Sequence, residues 1–154
     1  MKHEYGASMI EIIGVLAIAG LMSGAAIAMY NVIRGNQVRK IAAVEMEEIV
    51  RDTKMLMGMR GDYTGISVEY LISAGALDNA KAPIGGDGWS VTSIDNGVGF
   101  AINLTQLTQG ECQYFATSRP KWATEIQINN VKLDGADTEN CFSTDTNQMS
   151  FIVK

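Results

Sequence analysis

Histidine is almost absent from this chain. There is a single one, His3, among the first few residues, and only two cysteines, Cys112 and Cys141. A Ser/His/Asp or Cys/His nucleophile would have to use His3. No CxxC pair or ladder of carboxylates offers a metal its ligands at a usable spacing. The residues therefore point away from an enzyme, and no cofactor or metal is expected. Clustered Lys and Arg are missing too. Twelve basic residues stand against 17 acidic ones, a formal charge of −5. Phosphate backbones need concentrated positive charge, so nucleic acid is not expected as a primary partner. No internal repeat and no low-complexity segment is present.

Charge is also missing from one long stretch. Glu11 is the only charged residue between Tyr5 and Arg34, and from Ala17 to Tyr30 there is none. A run of this length matches the roughly 20 residues of a transmembrane helix. A carboxylate at the centre of such a helix costs about 2.5–3.5 kcal/mol or more. Glu11, near one end and five residues after Gly6, therefore calls for an explanation. Secretory signal peptides place a small-residue cleavage site after their apolar stretch. Here the small residue, Gly6, comes before it. Ser23, Gly24 and Ala25 imitate the ordinary site and stand as the lesser alternative. The residues beyond Tyr30 are enough for one modest core.

The reading along the chain begins with one helix from Ala7 to about Arg60. It is apolar on every face at first and amphipathic later. Val38, Ile41, Ala42, Met46, Ile49, Val50, Thr53, Leu56 and Met57 fall on one side. Lys40, Glu47, Glu48, Arg51 and Lys54 fall on the other, with Glu47 and Arg51 spaced as an i,i+4 ion pair. Gly58 and Gly61 bracket the stop. About 50 residues of continuous helix would measure roughly 80 Å, longer than one small domain needs. Gly14, Gly20, Gly24 and Gly35 admit two readings: close approach between membrane helices, or a helix that loosens when its surroundings change. Most of the nine methionines lie in this helix, where they can fill gaps between helices.

Ser67 can cap a short helix ending at Ser73. Strand-like runs follow at Trp89–Ser93, Val98–Leu104, Thr124–Leu133 and Met149–Val153, with the clearest alternation in TEIQINNV. Thr105–Ala116 reads as a second short helix carrying Cys112. The order, a long helix followed by antiparallel strands, is an α+β arrangement, with the sheet packed on the amphipathic half of the helix. Two cysteines in an exported domain are expected to pair, whereas in a cytosolic one they would more often stay free. Trp89 and Trp122 are expected in the core rather than as exposed adhesive aromatics. Asp134, Asp137 and Glu139 are expected in a solvated loop rather than at a cation or a basic patch.

The segment GASMIEIIGVLAIAGLMSGAAIAMYN resembles the N-terminus of type IV pilins: a short polar leader ending in Gly, a small or apolar first mature residue, Glu at the fifth mature position, and a long apolar helix. EYLISAGAL (69–77), APIGGDGWSV (82–91) and GFAINLTQLTQGECQYFAT (99–117) are similar to class IVb pilins of the thin-pilus and toxin-coregulated kinds. The resemblance implies a prepilin leader at 1–6, a membrane and filament-core half-helix at 7–30, and a globular head at 31–154. It implies cleavage between Gly6 and Ala7 by a prepilin peptidase and methylation of the Ala7 amine. It implies neutralisation of that amine by Glu11, in its own or an adjacent subunit, where the alternative is a Glu11 that only snorkels to the headgroups near the helix end, and it implies a clasp between Cys112 and Cys141. Partners would be membrane lipid, the peptidase, the inner-membrane assembly machinery, and identical subunits in a helical filament. The precursor would sit in a bacterial inner membrane with its leader in the cytoplasm, and the filament would be extracellular.

The chain departs from the pattern in places. Ala7 stands where Phe, Met, Leu or Val is common, and Ala28 where many class IVa pilins have a bending Pro. The leader is short, with Lys2 offset by Glu4. Arg34, Arg39 and Lys40 lie on the exported side, against the positive-inside rule. The main expectation is a major structural pilin. The alternatives are a minor pilin, a secretion-system pseudopilin, or a monomeric binding domain tethered to the membrane.

Overall fold

The computed structural model describes residues 8–135 and 137–154, so the expectations placed on Gly6 and Ala7 lie outside the described residues. The chain divides into two compact units after Gln37. Helix α1, Met9–Met57, supplies residues to both. Three short features set its ends. Ser8 precedes it, and its carbonyl accepts from the N–H groups of Glu11 and Ile12 at 2.8 and 3.2 Å. A 3-10 turn, Gly58–Arg60, follows it, and Gly61 closes that turn at φ +64°, where its N–H bonds Gly58 O. That conformation carries no penalty for glycine, so the stop falls where the two glycines put it.

In the second unit the amphipathic stretch of α1 supplies one wall of the core. Ala42, Met46, Ile49, Val50, Thr53 and Met57 are buried, in one cluster with Phe100, Ile102, Leu104, Phe115, Phe151 and Val153. Each fully buried large side chain contributes about 1.5–3 kcal/mol. The apolar stripe is narrower than its sequence implies, because Ile41 and Leu56 face solvent at 50% and 37% exposure. They sit on the flanks of the helix, beyond the reach of the sheet. Lys40, Glu47, Glu48, Arg51 and Lys54 are exposed as expected. Arg51, however, donates its Nε to the adjacent Asp52 at 3.1 Å rather than to Glu47.

Five antiparallel strands form one sheet in the order β1-β2-β5-β3-β4. They are β1 Ser90–Ile94, β2 Gly99–Leu107, β3 Glu125–Ile128, β4 Val131–Lys132 and β5 Asn147–Val153. Along β5 burial alternates, with Met149, Phe151 and Val153 inward and Gln148 exposed, the period-2 signature of a half-buried strand. On the opposite face a polar ladder crosses three strands. Ser150 Oγ donates to Asn103 Oδ1 at 2.7 Å, and Asn103 Nδ2 to Thr92 Oγ1 at 3.1 Å.

Helix α2 is Val68–Ser73, with Ser67 Oγ accepting from Tyr70 N. Helix α3 is Gln109–Ser118. The long helix packed on a small antiparallel sheet bears out the α+β expectation. Two boundaries differ. Residues 105–107 belong to β2, because the helix begins only after its N-cap Thr108, where Thr108 and Glu111 cap each other reciprocally. The run 124–133 breaks into β3 and β4 at Asn129 and Asn130, whose φ values of 49° and 66° make a two-residue hairpin turn, the geometry a type I′ turn requires.

Candidate assembly surfaces

In the first unit the described stretch of α1 from Met9 to Ile33 is exposed throughout. Met9–Arg60 is long and apolar enough to cross a membrane, and none of its most apolar stretch is buried. Leu, Ile and Met side chains from Met9 to Ile33 are exposed all round the helix. So large a contiguous apolar surface requires lipid or another protein. A Cβ on Gly14, Gly20, Gly24 or Gly35 would meet no atom within 4 Å. Packing within the chain therefore does not account for these glycines. Ser23 Oγ bonds back to Ala19 O at 2.8 Å, a pattern that slightly weakens helices.

Glu11 lies in the first turn of α1. Its Oε2 accepts from Ser8 N at 2.9 Å, so the carboxylate reaches back to an orphan N–H at the positive end of the helix dipole.

Cys112 in α3 and Cys141 in the segment before β5 form a disulfide with Cα atoms 5.8 Å apart. Both are buried. The segment that carries Cys141 is held by two asparagines that sequence reasoning missed. Asn147, fully buried, donates Nδ2 toward Thr144 O and Phe142 O at 2.9 Å and toward Leu107 O at 3.2 Å. Its Oδ1 accepts from Phe142 N at 2.7 Å and Asn129 Nδ2 at 3.1 Å. Asn129 Nδ2 also donates to Asn140 O at 2.7 Å.

A second fastening joins 79–89 to the sheet. Asp87 accepts from Thr105 Oγ1 at 2.5 Å and Gln106 Nε2 at 2.7 Å. These residues occupy a bulge in β2 where Gln106 has φ +54°. Gly85 (φ +70°) lies so close to Thr105 O that a Cβ would collide with it, which explains a glycine at that point in APIGGDG.

Trp89 is core, at 5% exposure. Trp122 is half-buried instead. It rests on Phe151, ring centroids 5.8 Å apart, and its outer side lines a surface groove with Val44, Tyr114 and Lys121. Asp134, Asp137 and Glu139 are exposed, and Asp137 Oδ1 accepts from Glu139 N. Among the described residues no group of three or more His, Cys, Asp or Glu converges as a metal site.

A cleft of about 340 Å³ between α1 and 75–81 is lined by Glu45, Glu48, Asp52 and Asp78 together with Arg51, Lys81 and Trp89. Burial and the neighbouring Glu48 hold the Glu45 carboxyl above its ordinary range. The Trp89 N–H acts in the opposite direction, and Asp78 adds repulsion. The sequence carries part of this signal, since Glu45, Glu48 and Asp52 recur at helical spacing. That Asp78 joins them depends on the tertiary fold.

A long apolar-to-amphipathic helix laid on a small antiparallel sheet, with a disulfide near the last strand, is the fold of type IV pilins. No family model matches the chain, and no curated protein matches it; solved structures do. TcpA, a type IV pilin from Vibrio cholerae El Tor biotype, is similar with a TM-score of 0.62 at 18% identity, over 77% of this chain and 99% of that one. The type IV b pilin from Salmonella typhi gives 0.51 at 20% identity, over 73% and 97%. At these identities the likeness is one of fold.

Proposed function

We propose that this chain is the major structural subunit of a class IVb type IV pilus, made as a membrane-anchored precursor and polymerised into a helical surface filament. The observation that carries the reading is the apolar half of α1, exposed on every side in a chain of pilin fold, with Glu11 as its one charge. Such a helix is at home in lipid and equally at home among copies of itself, where small residues let backbones approach. Gly14, Gly20 and Gly24 suit that packing.

Cleavage between Gly6 and Ala7 would remove a polar leader that has no place in an apolar core. It would also create a cationic amine one residue before Ser8, whose N–H Glu11 already binds. An unpaired charge in such surroundings costs about 3–5 kcal/mol, and pairing it with Glu11 both removes that penalty and fixes register. The peptidase, the assembly machinery, methylation of Ala7 and the passage from inner membrane to cell surface belong to this proposal. No catalytic role is part of it.

The deciding experiment is mass spectrometry of the chain in sheared surface fibres. A mature N-terminus at Ala7, methylated, in the dominant fibre protein is expected. Polymerised chain that retains Met1 refutes the proposal. Glu11→Ala should still insert and be cleaved while fibre yield falls by about tenfold or more. Normal fibres from that variant would remove Glu11 from the account.

A further inference from the structure

We propose that Arg34, with Tyr30 one turn before it, binds the headgroup of an anionic phospholipid in the leaflet remote from Glu11, and so fixes the depth of α1 in the membrane before assembly. The proposal rests on the membrane-anchored precursor of the filament reading and names the lipid that this precursor holds.

The length of the helix places Arg34. The uncharged stretch from Ile12 to Ile33 rises about 33 Å at about 1.5 Å per residue. The hydrocarbon layer of a bilayer is about 30 Å thick. With Glu11 at one boundary, Arg34 falls at the other, where its long stem can lie among acyl chains while the guanidinium reaches the headgroups. Tyr30 is 62% exposed and, four residues before Arg34, lies on the same side of the helix. A tyrosine at this depth belongs to the interfacial belt, with its ring among acyl chains and its hydroxyl in the wet layer. Arg34 is exposed and makes no ion pair among the described residues.

Charge selects the lipid. No carboxylate occurs between Glu11 and Glu45, whereas Arg34 is followed in the sequence by Arg39 and Lys40. A zwitterionic lipid brings an amine with every phosphate, and that amine competes for the phosphate oxygens. An anionic lipid brings the phosphate without the competitor. The planar guanidinium can pair with two of its oxygens at once. Each cation near an anionic surface strengthens binding by about fivefold. These cations stand on the side where the positive-inside rule disfavours them, and binding headgroups gives them a use that topology does not. Inorganic phosphate would satisfy the guanidinium but leave Tyr30 and the half-exposed Ile33 in water. A lipid covers both.

The test is native mass spectrometry of the full-length chain, released from detergent micelles doped with equal amounts of phosphatidylglycerol and phosphatidylcholine of the same acyl chains. The retained lipid should favour phosphatidylglycerol by at least about fivefold. Arg34→Gln should cut that preference by at least about threefold, and excess inorganic phosphate should not displace the lipid. Lys54→Gln, which removes an exposed cation outside the proposed contact, should leave the preference unchanged. Circular dichroism checks that both variants keep the helix. No preference in the parent, a preference that survives Arg34→Gln, or an equal loss in both variants overturns the proposal. Displacement by inorganic phosphate overturns it too, because the guanidinium would then hold phosphate without lipid. Fibres with a mature N-terminus at Ala7, from chain that shows no lipid preference, overturn the lipid contact and leave the filament reading standing. A preference in chain that polymerises with Met1 retained overturns the filament reading and leaves the lipid contact.

Discussion

Replacing Asn147 by alanine should be among the most damaging single changes in the head, although the residue carries no charge. Nδ2 has two hydrogens shared among Leu107 O, Phe142 O and Thr144 O, and Oδ1 accepts from Phe142 N and Asn129 Nδ2. That amounts to two full donated bonds and two accepted ones. At about 1 kcal/mol each, plus the desolvation of backbone groups left without partners in a buried site, the loss is about 3–5 kcal/mol. A domain of this size has a total stability of about 5–15 kcal/mol. The melting temperature should therefore fall by about 10–20 °C. Near-ultraviolet circular dichroism of the full chain in detergent, following Trp89 and Trp122, reports the transition. Asn147→Asp sharpens the test. It keeps the acceptors and loses the donors, and it sets a carboxylate against three carbonyl oxygens, so at neutral pH it should be worse than alanine. An alanine variant within about 1 kcal/mol of the parent, or an aspartate variant better than alanine, would refute the reasoning.

Cys141→Ser opens a loop with a sequence separation of 29, and in the chain-entropy model it should cost about 3–4 kcal/mol. Lower abundance and faster proteolysis are expected, and parental values of both would contradict the structural role of the bond. Glu45→Gln tests the cleft. A carboxyl raised in the folded state binds its proton more tightly there than in the unfolded chain, so its ionisation removes stability as pH rises through the folded value. The glutamine variant should melt higher than the parent at neutral pH, and the advantage should shrink toward about pH 4. An advantage that is absent at neutral pH, or that grows on acidification, would contradict it.

The elements that the sequence announces locally were legible. An apolar run does not need tertiary information to be read as helix, and Gly58, Gly61 and Ser67 act on their own neighbours. Thr108 was equally readable, since T-x-x-E in TQGE is a capping box, yet the apolar strand before it blurred the boundary. The Asn129-Asn130 turn was hidden because alternation runs across it in TEIQINNV, and only positive φ at both asparagines separates the strands. Ile41 and Leu56 keep helical register with the core and still miss it, because the width of the sheet decides how much of a helix is covered. Asn147 was beyond local reading. Its polar contacts reach residues from 107 to 144, and an asparagine near a loop gives no sign of which carbonyls will surround it. Glu11 stood out at once, because a charge in an apolar run is conspicuous without any fold.

The place of β5 has a consequence for the order of events in synthesis. It is the last strand in sequence but the third in the sheet, between β2 and β3. A chain emerging N-terminus first can pair β1 with β2 and β3 with β4, but the two hairpins have no edge in common until residues 147–153 arrive. Cys112 and Cys141 both come out earlier, so oxidation can precede closure of the sheet. An oxidised intermediate with two unjoined hairpins can then precede the finished sheet, and β5 is the strand that joins them.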